Sequence, residues 1–64
     1  MPLDVSDLRA IESQLALAKQ LVEDALTIAE VAGDPGAVRT LKALLIRVSD
    51  TEANIAGRIK GGQP

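Results

Sequence analysis

The feature that most constrains this chain is Gly-Asp-Pro-Gly at positions 33–36, which separates two long segments with apolar residues at helical spacing. Gly33 suits the left-handed conformation that ends many helices. Asp34 can cap a second helix that starts at Pro35, where the missing N–H has no intrahelical partner to lose, and Gly36 is tolerated in a first turn. These four residues therefore predict a turn. So short a connection predicts an all-α, antiparallel two-helix hairpin.

The first segment is predicted to form a helix over about residues 4–32. Asp4 can act as its N-cap, and Leu3 and Leu8 occupy the two positions of a hydrophobic staple. From Leu8 onward, apolar residues recur in steps of three and four, which is the spacing of one helix face. We assign the larger of these residues to a seam against the second helix: Leu8, Ile11, Leu15 and Val22.

The second segment is predicted to form a helix over about residues 35–60, followed by a flexible tail over residues 61–64. Residues 49–52, Ser-Asp-Thr-Glu, match a capping box, which would allow the helix to break near Ser49. No Gly or Pro stands there, so we expect one continuous helix. Its seam residues are Val38, Leu41, Leu45, Val48, Ile55 and Ile59.

Glu52 interrupts the apolar seam of the second helix. Equal distances from the turn place it level with about Leu17 and within reach of Lys19. Two interpretations stay open at this point. One is a partly exposed pair between Glu52 and Lys19, which would stabilise the fold only slightly. The other is a polar residue inside a helix interface, where it would set the register and the choice of partner.

A second group of apolar residues lies off the seam. The two groups together cover about half the circumference of the first helix, which is more than one neighbouring helix covers. The second helix supplies only one neighbour. We therefore expect the hairpin to assemble into a helical bundle or a larger helical oligomer, or to bind a partner protein. The predicted interface residues are Leu17, Leu21, Leu26, Ile28 and Ile46.

The composition favours association and argues against an enzyme. The single domain of 64 residues is 47% hydrophobic but contains no Cys, His, Phe, Tyr or Trp. A chain of this length buries only about 60% of its unfolded surface, and it has no disulfide or zinc ligands to compensate. Its hydroxyl groups have no recognisable activating partner, and residues 33–36 lack the ending of a phosphate loop. We predict no catalytic residue, no cofactor, no metal site and no small-molecule ligand.

The charges are unevenly divided along the chain, although the net charge is only −2. Residues 1–34 carry seven acidic and two basic side chains, whereas residues 35–64 carry five basic and two acidic ones. Side-by-side helices would therefore attract each other weakly, or one face could steer a charged partner. A net acidic chain without aromatic residues to stack on bases argues against a nucleic-acid partner.

The start of the sequence has no basic region followed by an apolar run. We therefore expect no signal peptide and a cytoplasmic location. Charged residues interrupt both apolar segments, so we also expect no transmembrane segment.

The run VSDLRAIESQLALAKQ at residues 5–20 resembles the first helix of the small co-chaperones for type III secretion needle subunits. Those proteins are helical hairpins of similar length that pair with a second chaperone and hold the needle subunit unpolymerised. The resemblance therefore implies a hairpin that binds other proteins. Needle subunits are also hairpins with an Asp-Pro turn, similar to Asp34-Pro35, but they carry aromatic and Asn/Gln-rich segments that this chain lacks. The residues that carry the resemblance are Val5, Leu8, Arg9, Ile11, Gln14 and Leu15.

These observations favour a non-enzymatic protein–protein interaction module. Its broad apolar faces would serve self-association or the capture of a partner, as in an adaptor, a chaperone-like protein, a filament subunit or a small phage-type inhibitor. One alternative is a small nucleic-acid-binding regulator of the dimeric helical-hairpin type. Another is a type III secretion co-chaperone or needle component.

Overall fold

A computed structural model of the protein describes residues 4–61. This part consists of two helices in contact with each other, α1 over Val5–Ala32 and α2 over Pro35–Gly61. It measures 49 × 18 × 15 Å, and a helix as long as α1 spans about 42 Å, so the helices lie side by side. The fold is therefore all-helical and fits a helical hairpin. The predicted staple residue Leu3 and the predicted tail residues 62–64 lie outside the described part.

Helix α1 begins with a side-chain cap. The Asp4 backbone is extended, and its carboxylate Oδ1 accepts a hydrogen bond from the Asp7 N–H at 2.9 Å. The Asp4 carbonyl accepts a bond from the Leu8 N–H at 3.1 Å. Asp7 also lies in the first turn, where its negative charge interacts favourably with the positive end of the helix dipole. The local sequence at residues 4–8 therefore favours the start of α1.

Two successive caps form the connection between the helices. Gly33 adopts the left-handed conformation with φ 74° and ψ 33°. Its N–H donates to the Glu30 carbonyl at 3.1 Å, and the Asp34 N–H donates to the Ala29 carbonyl at 3.2 Å, which together form a Schellman motif. The Asp34 carboxylate then caps α2 by accepting from the N–H of Gly36 at 3.1 Å and from that of the next residue at 3.2 Å. Gly36 thus belongs to α2, and only two residues connect the helices.

Helix α2 is continuous past Ser49, so the alternative break at the capping-box sequence does not occur. The Thr51 hydroxyl instead donates to the Arg47 carbonyl at 2.8 Å, as a threonine inside a helix does. The helix also includes Gly61, one residue beyond its predicted end. Two basic residues in the last turn interact favourably with the negative end of the dipole there.

The core between the helices is small. Leu8, Ala29 and Ile55 are buried, and no side chain of residues 4–61 is completely enclosed. Two helices leave the seam open on both of its sides, so most seam residues are covered only in part. The predicted seam residues that are half-buried are Ile11, Leu15, Val22, Val38, Leu41, Leu45, Val48 and Ile59.

Replacing Gly33 with Ala should destabilise the protein, because its left-handed φ strains a residue that carries a Cβ. We expect the free energy of unfolding to fall by about 1 kcal/mol, measured by urea unfolding with circular dichroism. Gly57→Ala is the matched control. A Cβ at Gly57 meets nothing within 4 Å, and alanine inside a helix should raise stability by about 0.5–1 kcal/mol. Effects of the same sign at both glycines would contradict this description of the connection.

Candidate protein-interaction surface

Four large apolar side chains of α1 are exposed to solvent. The exposed fractions are 59% for Leu17, 67% for Leu21, 70% for Ile28 and 85% for Val31. At about 100° of rotation per residue, the four lie within an arc of about 80° on one side of the helix. We call these four residues the α1 stripe. Single exposed apolar residues occur on any protein, but an aligned set is typical of a binding surface.

The exposed apolar residues of α1 and the predicted interface residues differ at two positions. Val31 was missed, although it continues the spacing of three and four residues that relates Leu17, Leu21 and Ile28. Leu26 was predicted to face a partner but is half-buried. It stands one turn after Val22 and so lies at the edge of the seam, where α2 covers part of its side chain. The exposed surface of α1 therefore gains Val31 and loses Leu26.

Uncharged residues border the α1 stripe on both sides. Ala18 and Ala25 lie between the stripe and the seam and are half-buried, whereas Gln20 and Thr27 lie on the outer border and are exposed. The Thr27 hydroxyl donates back to a carbonyl of its own helix at 3.1 Å. Small and neutral borders of this kind let another helix approach closely without bringing a charge into an apolar contact.

Asp24 is the only charged residue of α1 within the arc of the stripe. Its carboxylate accepts a hydrogen bond from the side-chain amide of Gln20 at 3.0 Å, one turn earlier. It lies farther around the helix from α2 than Leu21 and Ile28, by about 40–60°. Asp24 makes no ion pair within residues 4–61. Its carboxylate is therefore held at the outer edge of the apolar surface.

The side of the hairpin away from the stripe is charged. The Lys19 Nζ and the Glu52 Oε1 lie 3.8 Å apart, with the side chains 41% and 24% exposed. This confirms the predicted pair, whose contribution to stability is small at such exposure. Nearer the connection, Glu30 and Lys42 line one shallow groove. Lys19 and Glu30 lie about 145–165° around α1 from the middle of the stripe, so the charged and apolar sides face different directions.

The exposed apolar residues of α2 divide between these two sides. Leu44 is 43% exposed and Ile46 is 62% exposed, but residues two apart on a helix point about 160° away from each other. Ile46 stands one turn after Lys42 and therefore lies on the charged side. Leu44 lies on the side of the α1 stripe. The geometry thus separates Ile46 from the α1 residues with which it was grouped in the predicted interface.

Beside Leu44, the same side of α2 carries threonines and arginines. Thr40 and Thr51 stand one turn before and two turns after Leu44, and their hydroxyls donate to carbonyls of α2 at 3.0 and 2.8 Å. Arg47 and Arg58 continue this row at steps of three and four residues. Neither arginine takes part in an ion pair within the described residues. We call this row, from Thr40 to Arg58, the α2 row.

The part of the chain that the structure describes contains neither a cluster of metal-ligating side chains nor a membrane-spanning helix. Among residues 4–61, no three acidic side chains come together in a way that could hold a metal ion. Neither α1 nor α2 has an apolar stretch long enough to cross a bilayer. No protein-family model, curated protein or solved structure matches this chain.

Proposed function

We propose that this protein is a non-enzymatic protein–protein interaction module that self-associates through the α1 stripe. The observation that carries the proposal is the stripe itself, four aligned aliphatic side chains that are 59–85% exposed. The hairpin that presents them buries only three residues of its described part. The exposed apolar side chains are thus left for another chain to cover.

Within the hairpin, we infer that the helices run antiparallel. Two observations support this direction. Lys19 contacts Glu52 far from the connection, and Glu30 shares a groove with Lys42 close to it. Two such hairpins stacked face to face make a four-helix bundle in which every neighbouring pair of helices is antiparallel. The bundle supplies α1 with the second neighbour that its apolar circumference requires.

The free energy gained by burying the α1 stripes is of the same order as the cost of association, which supports a stable but reversible complex. Fully burying an exposed aliphatic side chain contributes about 1.5–3 kcal/mol. With four partly exposed side chains on each copy, a dimer that covers both stripes gains about 10 kcal/mol before other terms. Association itself costs about 4–15 kcal/mol, so the stripes alone do not ensure a tight complex. Further contacts from α2 have to contribute to the free energy of binding.

A second copy is the occupant that we propose, because each copy carries the same apolar surface and covers the stripe of the other. A chaperone-like protein would use the stripe to bind a different chain instead. The resemblance of residues 5–20 to type III co-chaperones stays a prediction of that kind. The cytoplasmic location stays a prediction as well.

The concentration dependence of thermal unfolding tests the proposal. If the folded state is an associated one, mass action stabilises it as the protein concentration rises. We expect the melting temperature, followed by circular dichroism, to rise by about 5 °C for each tenfold increase in concentration. A cooperative transition at the same temperature from micromolar to millimolar protein would contradict self-association.

A further inference from the structure

We propose that the second copy docks with its α2 row over the α1 stripe, so that both connections lie at the same end of a four-helix bundle. In this arrangement the two-fold axis runs along the hairpins, and Asp24 of each copy forms an ion pair with Arg47 of the other. The inference rests on the self-association proposed above. It adds which helix covers the stripe and which polar pair sets the alignment.

Two closed arrangements of face-to-face hairpins have to be distinguished. In the first, α1 of one copy lies on α2 of the other, and the connections are together. In the second, α1 lies on α1 and α2 on α2, with the connections at opposite ends. Both place antiparallel helices side by side. Both arrangements cover the four side chains of each stripe, the second with the other stripe and the first with Leu44 and the threonines and arginines of the α2 row. The charges distinguish the two arrangements.

The net charges of the helices favour the first arrangement. Helix α1 carries five acidic and two basic side chains, and α2 carries five basic and two acidic ones. Placing α1 on α2 brings the acidic helix of each copy against the basic helix of the other. Placing α1 on α1 and α2 on α2 brings acidic helices together and basic helices together, and the repulsion between like charges weakens such an interface.

The position of Asp24 also favours the first arrangement. The α1 stripe extends from residue 17 to residue 31, so its midpoint is residue 24. If two α1 helices packed antiparallel with their stripes in full overlap, the two Asp24 carboxylates would lie opposite each other. Two carboxylates that face each other midway along the contact, at its outer edge, repel each other. The repulsion between the two Asp24 carboxylates therefore disfavours the second arrangement.

The first arrangement gives Asp24 a partner instead. The contact between Lys19 and Glu52 shows that residues whose numbers add up to about 71 lie within side-chain reach of the same level. Moving five residues along each helix toward the connection makes Asp24 about level with Arg47, within reach of the two side chains. A rotation about the long axis leaves every residue at its level, so Asp24 of one copy is also level with Arg47 of the other.

The directions of these two side chains agree with this pairing. Asp24 lies on the outer edge of the α1 stripe, and Arg47 lies farther from the seam than Leu44, on the outer edge of the α2 row. Within one chain the two edges face away from each other. The rotation brings the Asp24 edge of one copy beside the Arg47 edge of the other, once on each side of the bundle. Leu44 then faces the stripe close to Ile28.

Charge reversal at either position tests the arrangement. Asp24→Arg places two basic side chains together at both contacts of its own dimer, and Arg47→Glu places two acidic ones together there. We expect each variant to dimerise at least about tenfold more weakly than the unmodified protein at low salt, and the difference to shrink as salt is added. An equimolar mixture of the two variants should form a heterodimer, because both contacts between the two different chains join opposite charges. Native mass spectrometry distinguishes that heterodimer by its mass.

The heterodimer has one contact between the two introduced residues and one between the two unmodified residues. At one contact the introduced arginine of the Asp24→Arg chain meets the introduced glutamate of the Arg47→Glu chain, and at the other the unmodified Asp24 meets the unmodified Arg47. Both contacts therefore join opposite charges, which neither variant achieves with its own copies.

A distance measurement decides the arrangement even where a charge variant fails to fold. The chain has no cysteine, so Gly36→Cys introduces a single labelling site in the first turn of α2, next to the connection. In the proposed dimer, two spin labels at this site lie within about two helix diameters, roughly 20–30 Å. With the connections at opposite ends, their separation approaches the 49 Å length of the molecule.

The outcomes separate the two proposals. A heterodimer from the mixed variants and a short distance between labels support the arrangement. A self-associated protein with a long label distance, or variants that gain nothing by mixing, overturns it and leaves self-association in place. An unmodified protein that stays monomeric overturns both, and the stripe then serves a different protein.

Discussion

Replacing Leu21 and Ile28 together with glutamine should dissociate the oligomer while each chain keeps its helices at high concentration. Both side chains are about two-thirds exposed in the single hairpin, so their substitution removes little from its own core. In a dimer the change affects four buried side chains. At about 1.5–3 kcal/mol each, reduced for their partial exposure, the loss is about 4–8 kcal/mol. The dissociation constant should rise at least about a thousandfold.

The chain offers a matched control for this double variant. Ile46→Gln makes the same chemical change at a residue with 62% exposure, but on the charged side of the hairpin. It should leave the oligomeric mass unchanged. Sedimentation and circular dichroism on the same samples make the comparison. If helicity collapses in the double variant while the remaining folded protein keeps its size, Leu21 and Ile28 belong to the hairpin core and the faces are assigned wrongly.

Truncating Ile55 to alanine should give the largest loss of stability among single substitutions in α2. Ile55 is the only large side chain of α2 that is buried within the hairpin. Shortening a buried Ile to Ala costs about 2–5 kcal/mol, and in a chain of this size the melting temperature should fall by at least about 10 °C. The small core leaves little surrounding structure to compensate.

Leu44→Ala is the control at a partly exposed position of the same helix. It should change the melting temperature of the hairpin much less than Ile55→Ala, and its main effect should be on association. A melting temperature that Ile55→Ala leaves unchanged would show that the seam of α2 is assigned to the wrong side of the helix.

Local chemistry explains why the connection could be predicted residue by residue. A glycine at a left-handed position, an aspartate before proline and a proline at a first helical position each act within a few residues of chain. The contact between Lys19 and Glu52 was also predictable, because a short connection places Glu52 about level with Leu17, and the side chain of Lys19 reaches that level. These features depend on spacing along the sequence and not on the packing of distant parts.

The division of exposed residues between two sides could not be predicted in the same way. The sequence shows that Leu17, Leu21 and Ile28 lie off the seam, but not which side of the hairpin Leu44 and Ile46 join. That depends on how each helix is rotated about its axis when the two pack together, which is a property of the tertiary contact. The same rotation explains why Leu26 is half-buried. The limited burial of the seam residues could not be predicted either, because it depends on how many helices pack around the seam.

Sedimentation equilibrium of the unmodified protein tests the central claim most directly. We expect a single species at twice the 6.7 kDa mass of one chain at tens of micromolar, and we expect it to dissociate on dilution. A closed two-fold complex gives one discrete mass, whereas a filament gives an open-ended distribution. A cooperatively folded monomer over the whole concentration range would contradict the claim that the α1 stripe is covered by a second copy.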